Sequence, residues 1–376
     1  MSRIRIGSFN VENLFERPKA MSQPMTAGGN PVLDAHARVN TLLRLTEYTA
    51  DVKAEILQHL ATLGLERSDS AEFAVLQQVR GRLLKRPAAP APVEVVASGR
   101  ADWIGWVDLT RERVDELAMT HTARVISDVD ADVMAVVEAD SRVALKHFTD
   151  AGVVTADGKP LFPRVMLVDG NDDRGIDVGL LAKGRHRIVD IVSHVDDVDD
   201  SGRHIFSRDC PEYTVELDGG SRVTLLVNHL KSKGYGRQAD NDATRRRQAV
   251  RVAEIYRGFR AAGRDNVVVL GDFNDTPDSA PLRPLLVDTD LRDITTHPTF
   301  VSDGRPGTYA NGTARQKIDY VLLSPALYDH VLAGAIFRMG VWGGKHGTLF
   351  PHYDTMTSPV QAASDHAAIY ADLDLA

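Results

Sequence analysis

The chain has 376 residues, 43% hydrophobic and 26% charged, enough apolar content for a sizeable core and too much for a disordered scaffold. Its 44 Lys and Arg against 52 Asp and Glu give a net charge of −8, which argues against coating nucleic acid through bulk charge but leaves room for a local basic groove. No apolar run approaches the ~20 residues that cross a bilayer, no signal-peptide stretch opens the chain, and the one cysteine, Cys210, cannot form an intramolecular disulfide, so a cytoplasmic protein is expected.

Residues 3–10 read as a strand, with Ile4, Ile6, Ser8 and Asn10 on one face. Residues 34–62 and 71–86 read as helical, interrupted near Gly64 and ended by Pro87, and Pro87-Ala88-Ala89-Pro90-Ala91-Pro92 reads as a stiff linker. Because 17–110 shows no evident strand, it is expected to be a mostly helical insertion. An amphipathic helix is predicted over 111–127, followed by a strand from Val133 to Glu138. Further strands are predicted at 177–182, 222–229, 266–271, 318–323 and 366–373, with a helix over 243–259 burying Ala249, Val252, Ala253 and Tyr256. Several strands are apolar on both faces, which implies covered sheets and an α/β layered fold of one domain, 1–376.

Polar residues recur at strand ends, where a core face would otherwise continue. Asn10 ends the first strand, and Glu138 ends the next in phase with Met134 and Val136. Asn228 and His229 end Val223-Thr224-Leu225-Leu226-Val227, while Asp272 and Asn274 follow Val267-Val268-Val269-Leu270-Gly271. Asp319 opens one strand and Asp365-His366 another. Gathered at one rim, these groups would be costly to bury without a compensating cation. Their oxygen donors suit a hard divalent ion, and with two histidines the set fits hydrolysis of a phosphate ester.

The wording of these segments carries the reading further. Ser8-Phe9-Asn10-Val11-Glu12-Asn13-Leu14-Phe15, the strand ending in Glu138, Asn228-His229-Leu230-Lys231-Ser232, Gly271-Asp272-Phe273-Asn274-Asp275, Ile318-Asp319-Tyr320-Val321-Leu322 and Ser364-Asp365-His366 occur in this order. Together they resemble the endonuclease/exonuclease/phosphatase superfamily, the deoxyribonuclease I-like fold, over 1–16 and 121–376. The resemblance implies a four-layer α-β-β-α sandwich of two packed mixed sheets. It implies Asn10, Glu138 and Asp365 beside a metal ion, Mg²⁺ with Mn²⁺ or Ca²⁺ as alternatives. Asp272 would orient the attacking water, while Asn228, Asn274 and His229 would face the phosphate oxygens. His366 would stand beside the phosphate, oriented by Asp319; which histidine is acid and which is base stays open. Arg174, Lys231 and Arg245 are the candidate phosphate contacts.

The leading expectation is a metal-dependent phosphodiesterase, a nuclease acting on nucleic acid. A phosphomonoesterase or lipid-head-group phosphodiesterase using the same pocket is the alternative, as is, from another class, a non-catalytic binding protein. The Pro-Ala-Trp-Cys-Asp-Arg wording of inositol polyphosphate phosphatases and the Trp-Asn-Val-Asp-Gly wording of abasic-site endonucleases are both missing from this sequence. Oligomeric state is not readable from it.

Overall fold

The computed structural model describes residues 3–12, 14, 16–22, 30–172, 175–234 and 237–375. The chain divides into two compact units, one of Met1–Phe15, Val114–Ser232 and Asp242–Ala376, the other of Glu16–Arg113 and Lys233–Asn241.

In the first unit, Val133-Met134-Ala135-Val136-Val137 is apolar throughout because both faces of its strand are covered. By the period of two, Val133, Ala135 and Val137 enter one core while Met134 and Val136 enter another. The strand belongs to a seven-stranded sheet ordered Phe300–Val301, Val331–Phe337, Ala368–Asp374, Arg3–Asn10, Val133–Ala139, Asp177–Ala182, Arg164–Val168. A six-stranded sheet is ordered Arg187–Val192, Glu212–Glu216, Arg222–His229, Val267–Asp272, Asp319–Leu323, Arg292–Asp293. Both are mixed: Arg3–Asn10 runs parallel to Val133–Ala139 but antiparallel to Ala368–Asp374, and Val267–Asp272 is parallel to Arg222–His229 but antiparallel to Asp319–Leu323.

The sheets pack face to face through residues such as Ile6, Ala135, Leu225, Leu270 and Val321. Helices Glu116–Val129 and Arg142–Gly152 cover the outer face of the first sheet, setting Val125, Ile126 and Leu145 against Met134 and Val136. Helix Gln238–Ala261 covers the second, with Ala249, Val252, Ala253 and Tyr256 against Val267 and Val269. Each buried aliphatic side chain of this kind stabilises the fold by ~1.5–3 kcal/mol. This is the expected α-β-β-α sandwich.

The second unit corrects the expectation of a mostly helical insertion. Among the described residues its α-helices within 17–110 are Pro31–Leu43 and Ala50–Thr62, with Asn30 and Thr49 as their N-caps and a break between them where the sequence reads as one long helix. Residues 71–86 are not helical. Ala74–Arg80 is a strand paired antiparallel with Ile104–Leu109, Gln77 opposite Trp106. Ala74 and Leu76 are buried with a period of two, and Gly81 turns the chain at φ +77° so close to Asp102 that a Cβ would meet its carbonyl oxygen at 2.0 Å. The Pro/Ala stretch lies inside this unit rather than at a boundary, held by Arg67 through the carbonyls of Pro87 and Ala91. Among the described residues, no helix is long and apolar enough to cross a membrane.

Candidate active site

The polar rim grows out of the core by strand register. In the six-stranded sheet Val227, Leu270 and Val321 face the inter-sheet core, and two residues along each strand the same face carries His229, Asp272 and Asp319. These three stand side by side: His229 pairs with Asp272, and Asp272 with Asp319. Gly271 permits the alignment. Its φ is +125°, and a Cβ there would meet the Asn228 carbonyl oxygen at 2.0 Å.

The seven-stranded sheet supplies the opposite wall. Ile4 and Ile6 face the inter-sheet core, and Asn10 continues their stripe, donating from Nδ2 to Asp272 at 3.2 Å across the two sheets. Its Oδ1 accepts the Glu12 N–H at 3.0 Å. Glu138 reaches the rim differently. In phase with Met134 and Val136 it would face the helices, but its φ of +67° breaks the alternation, and its carboxylate lies 3.5 Å from His229 Nε2. His229 Nε2 is also 3.7 Å from Asp272.

His366 completes the group. Its Nδ1 lies 2.9 Å from Asp319, while its Nε2 lies 3.9 Å from Asp272 and 3.7 Å from Asp365. Burial alone would lower the His366 pKa, but Asp319, then Asp272 and Asp365, raise it well above the ordinary histidine value and favour the imidazolium. Burial, then the charge of Asp319 beside it, raises the pKa of Asp272.

The remaining sequence candidates divide. Asn274, at φ +55°, caps Asp272 by donating its backbone N–H to Oδ1 at 2.8 Å and its Nδ2 to Oδ2 at 3.1 Å. Asp365 stands on the His366 side, half-buried, its N–H donated to Glu12 at 3.0 Å. Asn228 falls on the opposite face from His229, where its Nδ2 donates to the Leu226 carbonyl and its Oδ1 is buried with no hydrogen-bond partner among the described residues. Lys231 is half-buried in the loop after His229, its N–H held by Gln248 at 2.8 Å. Arg174 lies outside the described residues. Arg245 corrects its reading as a phosphate contact: fully buried, its guanidinium binds Asp275 at 2.9 Å and the Lys231 carbonyl at 2.6 Å, and pairs with Asp242. It thus ties the loop after His229 to the loop after Asp272.

Sequence reasoning also passed over Thr308 and Tyr309. The Thr308 hydroxyl accepts the Asp319 N–H at 3.0 Å, and the Tyr309 ring lies 4.9 Å from that of His366. No strand end or motif marked them; the only signal was their place ten residues before Ile318-Asp319.

The donor set fits a divalent cation. Glu138, His229 and Asp272 can present one ligand atom each within 4.8 Å of one another, as can Asp272, Asp319 and His366. Two of the first set are carboxylates, and the like charge that raises Asp272 is what a bound cation would offset.

The sequence model of the Endonuclease/Exonuclease/phosphatase family matches residues 113–366, more than half of the chain. The chain belongs to this family. The first strand of this family member, Arg3–Asn10, lies before the matched range yet sits fourth in the seven-stranded sheet and supplies Asn10. No curated protein matches the chain in sequence. Among solved structures, it is similar to an endonuclease/exonuclease/phosphatase family protein from Bacteroides thetaiotaomicron, at 17% identity and TM-score 0.50, covering 68% of this chain and 85% of the other. It is similar to the same extent, 17% and 0.50, to the mannosyl-6-phosphatase Bt3783 of Bacteroides thetaiotaomicron VPI-5482, covering 69% of this chain and 91% of that one. These likenesses establish the deoxyribonuclease I-like fold, and the family assignment makes the protein a phosphoesterase-type hydrolase.

Proposed function

We propose that this hydrolase cleaves phosphodiester bonds with Mg²⁺ as its ion, and that its substrate is nucleic acid. One observation carries the chemistry: Asn10, Glu138, His229, Asp272, Asp319 and His366, drawn from distant parts of the chain, meet at a single rim. The nuclease part of the reading rests on the resemblance of these motifs, Asn228-His229-Leu230-Lys231-Ser232 among them, to a superfamily that includes nucleases.

Glu138 and Asp272 would hold a divalent cation, with Asn10 and His229 beside it, and the ion would neutralise charge on the phosphoryl oxygens. Asp272, fixed by the Asn10 and Asn274 carboxamides, orients the attacking water by accepting its hydrogen bond. His229, at 3.5 Å from Glu138, faces the developing charge. The His366 imidazolium, held by Asp319, offers Nε2 as a charge-assisted donor to the phosphate.

The test compares wild type with Glu138→Ala, Asp272→Ala and His366→Ala in Mg²⁺ on bis(p-nitrophenyl) phosphate. Loss of turnover by ~100-fold or more in each is expected; near-parental turnover in all three would defeat the assignment. A parallel panel of duplex DNA, single-stranded DNA, RNA, sphingomyelin and small phosphomonoesters tests the substrate. Turnover of monoesters or sphingomyelin with none of nucleic acid would overturn the nuclease part alone.

A further inference from the structure

Asp319 and His366 come from different sheets. Asp319 opens a strand of the six-stranded sheet, whereas His366 leads into Ala368–Asp374 of the seven-stranded one. Their 2.9 Å contact therefore depends on how the two sheets are registered at this end. A relative slip of about 1 Å would take the contact out of hydrogen-bond range.

Thr308-Tyr309-Ala310 joins both partners. The Thr308 hydroxyl accepts the N–H groups of Ile318 at 3.3 Å and Asp319 at 3.0 Å. The Thr308 carbonyl accepts the Ala367 N–H at 2.7 Å, and the Ala310 N–H donates to the Asp365 carbonyl at 2.7 Å. The bracket is itself anchored, since the Thr308 and Tyr309 N–H groups donate to the Gln316 carbonyl at 2.9 and 3.0 Å. Between these ties the Tyr309 ring lies against His366, tilted by 58°, and its hydroxyl hydrogen-bonds Asp365. Thr308 is buried, so nothing else in water can replace its hydroxyl as the acceptor for Asp319.

We propose that Thr308 and Tyr309 are positioning residues that set the His366–Asp319 pair across the two sheets. What the pair then does rests on the hydrolytic reading above, so the test carries one readout that needs no turnover.

In metal-free full-length protein, the low-field ring proton of His366 on Nδ1 is observed by NMR and assigned by its loss in His366→Gln. The resonance should persist in wild type and Thr308→Ser, and shift upfield or broaden away in Thr308→Val. In steady state Thr308→Val should lose about 10- to 100-fold in kcat with little change in KM, and Thr308→Ser should recover most of it. Tyr309→Phe, which keeps the ring and loses the hydroxyl, should fall between. Should Thr308→Val not fold, Tyr309→Ala carries the same two readouts, because its ring is only partly buried. An unchanged resonance together with unchanged kcat in these variants overturns the proposal. A wild type without phosphoester turnover whose resonance still responds as described sinks the hydrolytic reading and leaves the positioning role standing.

Discussion

Asp319 and Asp177 are both buried carboxylates, yet their surroundings give them opposite relations to stability and function. Asp319 faces the His366 imidazole at 2.9 Å, and that charge pairing sustains the imidazolium. Asp319→Asn should keep the fold but lower kcat by ~100-fold or more with a modest change in KM; a kcat within threefold of wild type would remove Asp319 from the machinery. Asp177 accepts the Gly170 N–H at 2.7 Å, but burial, and then the nearby Asp169 and Asp172, push its carboxyl from 3.8 up to about 7. The folded state therefore keeps a proton that the unfolded chain releases near pH ~4, and stability falls as pH rises from there towards 7. Asp177→Asn, which keeps the acceptor oxygen, should raise Tm relative to wild type at pH 8 and bring no such gain at pH 4. An equal difference at both pH values would show that ionisation is not the cause.

Elements show where sequence patterns carry structural information and where they lose it. Strands covered on both faces were legible because burial leaves no polar position short of their rim ends: Val133–Ala139, Val267–Asp272 and Asp319–Leu323 lie within a residue or two of their predicted spans. Edge strands were not. Arg187–Val192 is exposed or half-exposed along its whole length, so its composition reads as loop. Ala74–Arg80 was read as helix because Leu, Gln and Ala suit either state, and only its partner Ile104–Leu109, 30 residues away, decides. The rim itself was legible at Asn10, His229, Asp272 and Asp319 by plain alternation. Glu138 is singled out as the polar end of its strand, yet its phase with Met134 and Val136 points to the helix-covered face, since a backbone turn at φ +67° leaves no mark in composition. Arg245 was misassigned because a helical stripe shows that a side chain is buried and not what it binds. Gly271 makes the element-scale dependence testable. Gly271→Ala sets a Cβ 2.0 Å from a backbone oxygen at a positive φ and should destabilise the protein by ~3 kcal/mol or more, read from denaturant midpoints. A midpoint within error of wild type would show that the two strands can part there without cost.

For the whole molecule, the fold concentrates acidic groups that the sequence spreads over more than two hundred residues, in a chain already at −8. Folding therefore creates a repulsion that the unfolded chain does not have, and a divalent cation that binds the rim binds only the folded state. On the proposed reading that Mg²⁺ is this ion, linkage has it stabilise the protein: at about a hundred times its dissociation constant, by ~2.7 kcal/mol. The shift should appear in thermal melts as a rise of several degrees over EDTA-treated protein. Matching the ionic strength with NaCl separates this from general screening, which acts on exposed charges throughout the surface. Glu138→Ala should melt close to wild type in EDTA and gain much less from Mg²⁺, because half-buried Glu138 adds little core packing and, on the proposed reading, would supply a ligand. An equal Mg²⁺ gain in wild type and Glu138→Ala, or an equal gain from matched NaCl, would mean that the rim does not hold the ion, whatever the protein's turnover.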